Sequence, residues 1–217
     1  MSCPHPQPSS TLEIVFADEH LVVVNKPAGL LSVPGKGEAN QDCVASRVLA
    51  MYPAATGPLI VHRLDMDTSG LMVVGLTQHA QRELSRQFEQ RLTQKAYVAL
   101  VAGRVEQNEG EISIPIRTDV DNRPHQIVDY VHGKPSTTYY TVISRETGRT
   151  RLRLVPITGR THQLRVHCAS GLGLAIIGDP LYGQRELALR MLLHAAELTF
   201  THPVTGEQMA MQSAVPF

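Results

Sequence analysis

Short apolar runs cut by turn residues recur along most of this chain, and two longer stretches carry the three-and-four spacing of an amphipathic helix instead. Residues 14–16 and 21–24 are rich in β-branched and aromatic side chains around Ala17, Asp18, Glu19 and His20, which predicts a hairpin. Asn25, Lys26, Pro27, Ala28 and Gly29 end it, since proline removes a backbone donor and glycine admits positive φ. Past Asn40, Gln41 and Asp42, the apolar members of 43–51 share one helical face. Runs 59–61 and 71–76 read as buried strands joined by the polar connection 62–69. Thr77 is placed to cap a helix over 78–91, with Leu84 and Phe88 on one face.

Strand character returns over 94–105, with Tyr97 inside it, and gives way to an acidic, loop-rich region, 106–133, holding the more basic turn 122–126. Runs 135–144 and 150–156 alternate as two strands joined by a turn at 146–149. A short helix is expected over 161–169, capped by Gly159 or Thr161, then strands at 172–177, 198–200 and 208–212. Many strands with a few separated helices indicate an α+β class, not alternating β/α units. At 217 residues the chain fits one domain over 12–217, behind a polar tail, 1–11, that is expected to be mobile.

Composition narrows the function. No apolar run approaches the ~18 residues of a membrane span, and the first residues are unlike a signal peptide. Cys3, Cys43 and Cys168 show no paired spacing, which suits free thiols in the cytoplasm. Twenty basic residues balance 20 acidic ones, which argues against nonspecific nucleic-acid binding. The distribution points the other way. Between Arg145 and His167 six arginines face a single acid, Glu146, a local surface suited to selective phosphate contact or to a solvated strand pair. Nothing sets an oligomeric state, and a monomer is the default.

The candidate chemistry centres on residues 62–69. A carboxylate on a loop held between strands is a common placement for a reactive group, and Asp65 is that carboxylate. By residue type alone, Asp65, Asp67, Thr68 and Ser69 suit a backbone-capping turn equally well. His62, His162 and His167 do not form a metal set, since His162 and His167 diverge on a helix and no cysteine pair completes them.

The string His62-Arg63-Leu64-Asp65-x-x-Thr68-Ser69-Gly70 resembles the signature of the RluA-type pseudouridine synthases, with Asp65 at the place of the catalytic aspartate. The resemblance extends from about Leu12 to the C-terminus. It is carried also by Asn25-Lys26-Pro27-x-Gly29-Leu30, Lys95-x-Tyr97-x-Ala99, Thr158-Gly159-Arg160-x-His162-Gln163-Leu164-Arg165-x-His167, Gly178-Asp179-x-x-Tyr182-Gly183 and Leu193-His194-Ala195. It implies a bent, mixed, mostly antiparallel sheet with flanking helices and a catalytic cleft across its middle. Larger relatives carry a separate N-terminal RNA-binding domain, for which the tail here has no room. The compact form resembles the dual-specificity type, which modifies transfer and ribosomal RNA, so a tRNA anticodon-loop uridine and one in a 23S rRNA stem-loop are expected.

One carboxylate can suffice for such an isomerisation, because the two carbonyls of uracil spread the charge of the leaving base, unlike an alkoxide. Whether Asp65 attacks the sugar, attacks the base or assists a proton stays open. The resemblance gives Asp65 an ion-pair partner in Arg165, stacks Tyr97 on the uracil, and uses Arg63 to fill the space left by the everted nucleotide. Leu193 is expected on the other face of the base, and Arg123, His125, Arg160 and Lys26 are candidate RNA contacts. No cofactor and no metal are implied.

Two competing readings remain. Asp65-Met66-Asp67-Thr68 superficially suits a magnesium-dependent phosphatase, although the pattern Asp-x-Asp-x-Thr is broken by Ser69. The Arg145–Arg165 surface alone would suit a noncatalytic RNA-binding module.

Overall fold

The computed structural model describes residues 11–217, so the predicted tail lies, apart from Thr11, outside the described residues. Along the chain run β1 (Glu13–Ala17), β2 (Leu21–Lys26), α1 (Val44–Met51), β3 (Ser69–Gly75), α2 (Gln78–Glu89), β4 (Gln94–Ala102) and β5 (Glu109–Ser113). They are followed by β6 (Ile116–Thr118), β7 (Gln126–Val128), β8 (Thr137–Glu146), β9 (Arg149–Pro156), α3 (Gln163–Val166), β10 (Leu193–Thr201) and β11 (Gln208–Gln212). Strands with few, short helices make this an α+β fold. No helix is long and apolar enough to cross a membrane among the described residues.

The chain divides into two compact units: residues up to Lys95 with Ala195–Pro216, and Ala96–His194 with Phe217. In the first unit the strand order is β1-β2-β3-β10, with β11 also pairing β10. β1 to β2, β2 to β3 and β10 to β11 are all antiparallel. β3 is buried at every position, which explains its unbroken apolar run. Its face packs with Leu21, Val23, Leu84, Leu198 and Phe200, and each such side chain contributes about 1.5–3 kcal/mol by leaving water. α2 starts as its sequence dictates, with Thr77 Oγ accepting the Ala80 N–H at 3.2 Å. Its Gln87 then clamps the Thr201 backbone, donating to the carbonyl and accepting from the amide at 2.8 Å each.

In the second unit the order is β4-β9-β8-β5, again antiparallel, with β6 and β7 forming a separate small pair. β9 alternates buried and accessible positions, Thr150, Leu152 and Leu154 inward. Leu152 and Leu154 pack with Ala99, Val101, Leu164, Ile176 and Met191.

Four expectations need correction. Residues 59–61 form no strand: Leu59 takes φ 57°, so the chain turns and Ile60 alone bridges to Val74. Residues 172–177 likewise supply one bridge, Ile176 to Val101, because a π-helical turn over His167–Gly171 and Gly173 at φ 69° carry the chain away. The region 106–133 contains three short strands, β5 to β7, whose three- to five-residue lengths give too little periodicity to read. The helix predicted over 161–169 is capped by neither Gly159 nor Thr161; His162 stands at the N-cap in a left-handed conformation, φ 53°.

Candidate active site

Asp65 is held through its two neighbours. On one side the Ser32 hydroxyl donates to the Leu64 carbonyl at 2.7 Å and accepts the Leu64 N–H at 3.1 Å. On the other, the Met66 carbonyl accepts from Lys26 Nζ at 2.9 Å and from the Gly29 N–H at 2.8 Å. A turn bond from the Thr68 N–H to the Asp65 carbonyl, 3.1 Å, closes the loop. Bonds to the main chain fix where this carboxylate starts from, while Asp65 keeps an intermediate exposure and Arg63 is exposed.

Lys26 is therefore no RNA contact. Its side chain is wholly buried, and Nζ donates to the carbonyls of Pro27 (3.0 Å), Leu30 (2.7 Å) and Met66. A buried ammonium needs such partners to remain charged. These ones brace the Asp65 loop.

His62 completes the support. Its ring stacks on Phe88 with centroids 4.2 Å apart, and Nε2 accepts the Val73 N–H at 3.2 Å, so the imidazole is neutral and protonated at Nδ1. Desolvation, with the charge of Lys95 added, pushes its pKa down to about 3. Lys95 lies over the same Phe88 ring at 5.6 Å. At the end of the loop Gly70, φ 116°, lies so close to β10 that a Cβ there would meet the Ala195 carbonyl oxygen at 2.3 Å.

The second unit builds a different group. Arg165, 2 % exposed, donates from Nε and Nη2 to the carboxylate of Asp179 at 2.8 and 2.7 Å. Burial alone would raise the Asp179 pKa, but the hydrogen bonds and charge of Arg165 outweigh it and hold the carboxyl below its usual range. Asp179 Oδ1 also accepts the N–H groups of Leu181 and Tyr182, at 2.9 and 3.1 Å. The guanidinium lies over the Tyr182 ring, 5.1 Å from its centroid.

The remaining expected residues separate. Tyr97 is half-buried in β4, at intermediate exposure. Arg123 is exposed and His125 half-buried on the 122–126 turn, where His125 meets Tyr182 edge-on at 5.7 Å. Arg160 is half-buried, with Nε donating to the Pro135 carbonyl at 3.2 Å. Leu193 is a correction: at 2 % exposure it belongs to the second unit's core and presents no face to a base in this structure.

A sequence profile described as RNA pseudouridylate synthase matches residues 20–170, more than half of the chain. The chain belongs to this family. As a pseudouridine synthase it is an isomerase, and its substrate is RNA. It is 48% identical over 208 residues to the dual-specificity RNA pseudouridine synthase RluA of Yersinia pestis, covering 94% of this chain and 99% of that one. To the dual-specificity RNA pseudouridine synthase RluA of Escherichia coli K12 it is 47% identical over 217 residues, covering 98% and 97%. Among solved structures it is similar to human RNA pseudouridylate synthase domain containing 1, with TM-score 0.79 and 31% identity over 98% of this chain and 86% of that one. Human RNA pseudouridylate synthase domain containing 4 is similar at TM-score 0.75 and 26% identity, over 94% and 88%.

Sequence reasoning gave no role to two residues that gather around Arg165. Asp179 and Tyr182 stood within the quoted Gly178–Gly183 motif but received no role. The only signal was their place in that motif, since the burial of Arg165 that calls for a carboxylate is seen in the structure alone.

Proposed function

We propose that this pseudouridine synthase acts on uridines in structured stem-loops: one in a tRNA anticodon loop and one in 23S rRNA. It would do so as a monomer in the cytoplasm, where both RNAs reside. The dual specificity named for relatives 47% and 48% identical supports the choice of targets. Single-stranded loops also expose base edges that an A-form duplex hides.

The reaction exchanges a sugar–nitrogen for a sugar–carbon bond. The N1–C1′ bond breaks, the base turns, C5 bonds C1′, the C5 proton departs and N1 gains one. Asp65 is the group that reacts, kept ionised by Arg165, which Asp179 holds in place. Tyr97 stacks on the uracil, worth roughly 1–3 kcal/mol per base, with its phenol near the departing proton. Arg63 fills the vacated stack; Arg123, His125 and Arg160 contact the surrounding RNA.

The observation that carries this reading is the double bracing of Asp65 at Leu64 and Met66. A capping turn needs no such support from Ser32 and Lys26. The test is tritium release from stem-loop RNA carrying 5-tritiated uridine, with and without EDTA. Wild-type protein should release tritium from both stem-loops in EDTA, and Asp65→Asn should cut the rate by about a thousandfold or more. Near-normal release by Asp65→Asn rejects the catalytic assignment, and release from one RNA alone rejects dual specificity.

A further inference from the structure

We propose that Tyr182 is a positioning residue that ties the RNA-facing turn 122–126 to the guanidinium of Arg165. The inference rests on the reading above, in which that turn meets RNA and Arg165 serves the reacting aspartate.

Two hydrogen bonds and three ring contacts converge on this one half-buried side chain. Its hydroxyl accepts the Gln126 N–H at 2.7 Å and lies 2.8 Å from Nδ1 of His162. Its ring lies beneath the Arg165 guanidinium and meets the rings of His125 and His162 edge-on, at 5.7 and 5.6 Å. Its own N–H donates to the carboxylate oxygen of Asp179 that also receives Arg165 Nη2.

The hydroxyl has one proton and two lone pairs. A backbone N–H can only donate, so Gln126 takes one lone pair, and the hydroxyl shares its second bond with Nδ1 of His162 in the direction the imidazole tautomer sets. Each bond polarises the next along the line Gln126, Tyr182, His162. His162 stands three residues before Arg165, at the head of the same helix, and holds a left-handed backbone that a non-glycine residue seldom adopts. A carboxylate therefore fixes the guanidinium and the phenol's backbone together, while the phenol's hydroxyl joins the turn to the helix that carries Arg165. Displacing the turn displaces the ring under the guanidinium; seating the turn on RNA seats both.

Tyr182→Phe removes the hydroxyl and keeps the ring. It should raise KM for stem-loop RNA roughly 3- to 10-fold, the worth of one or two hydrogen bonds, and leave kcat at saturating RNA unchanged. The decisive readout is a double-mutant cycle. Arg123→Ala should weaken RNA binding in the wild type and weaken it distinctly less in the Tyr182→Phe background, a coupling that loss of general stability would not produce. Equal losses in both backgrounds, no loss from Arg123→Ala, or a kcat collapse in Tyr182→Phe would each overturn the proposal. Should Tyr182→Phe fail to fold, His162→Ala repeats the cycle, with His162→Gln restoring a hydrogen-bonding partner and the coupling. Asp65→Asn, run beside these, reports on the catalytic reading separately: full activity there removes the reading, whatever the cycle gives.

Discussion

The two units hold their key charged groups by opposite means. In the first, Asp65 owes its position to main-chain bonds at the residues either side of it, supplied by the Ser32 hydroxyl, the Lys26 ammonium and the Gly29 amide. In the second, Arg165 is fixed by its own side chain, through a bidentate bond to Asp179 and the face of Tyr182. Main-chain bracing places a residue through its backbone and does not itself draw on the carboxylate's oxygens. Side-chain bracing commits the charged head itself and suits a group that must stay put.

The comparison can be broken where it predicts the greatest cost. Asp179→Asn removes the carboxylate charge to which buried Arg165 donates twice and should lower unfolding stability by about 3–5 kcal/mol, read from urea titration. A double change, Arg165→Met with Asp179→Leu, should recover much of it while abolishing activity. Lys26→Met is the counterpart in the first unit. It removes one donor from each of three carbonyls and should cost about 2 kcal/mol, with faster amide exchange at Gly29 and Thr68. Equal exchange in mutant and wild type would show that the loop does not depend on the ammonium.

Acid offers a third contrast. In the second unit, burial pushes the pKa values of His167 and His194 down to about 4, the charge of Arg190 adding to the effect at His194. Unfolded histidine titrates near 6.5, so below that pH the unfolded chain binds protons that the folded one refuses. Stability is full above about pH 6.5 and falls as pH drops toward 4, by about 1–2 kcal/mol per histidine at pH 5. His62 in the first unit, at about 3, adds to the same trend. A pH-independent urea midpoint between pH 7 and 5 would contradict it.

Much of this architecture is legible in residue order. The hairpin of β1 and β2, the Thr77 cap, the β8–β9 pair and the apolar run of β3 follow from local periodicity and turn chemistry. What escaped is what depends on distant parts of the chain. Lys26 looks like a solvent-facing cation beside a turn, and only Met66, 40 residues on, reveals it as an interior brace. Leu59 and His162 adopt positive φ without the glycine that would announce it, so the strand at 59–61 and the helix cap near 161 were misread. Arg165 entered the reading through the family resemblance, as a partner for Asp65; its bond to Asp179, 14 residues away, is one that periodicity cannot reveal.

Gly70 sets a boundary on redesign. Because the approach of Ala195 forbids any side chain there, the exit of the aspartate loop is closed to variation. Its accessible crown, Arg63 with Met66 and Asp67, is not. Libraries aimed at new RNA targets should randomise that crown and spare the glycine, where even alanine would prise two neighbouring strands apart.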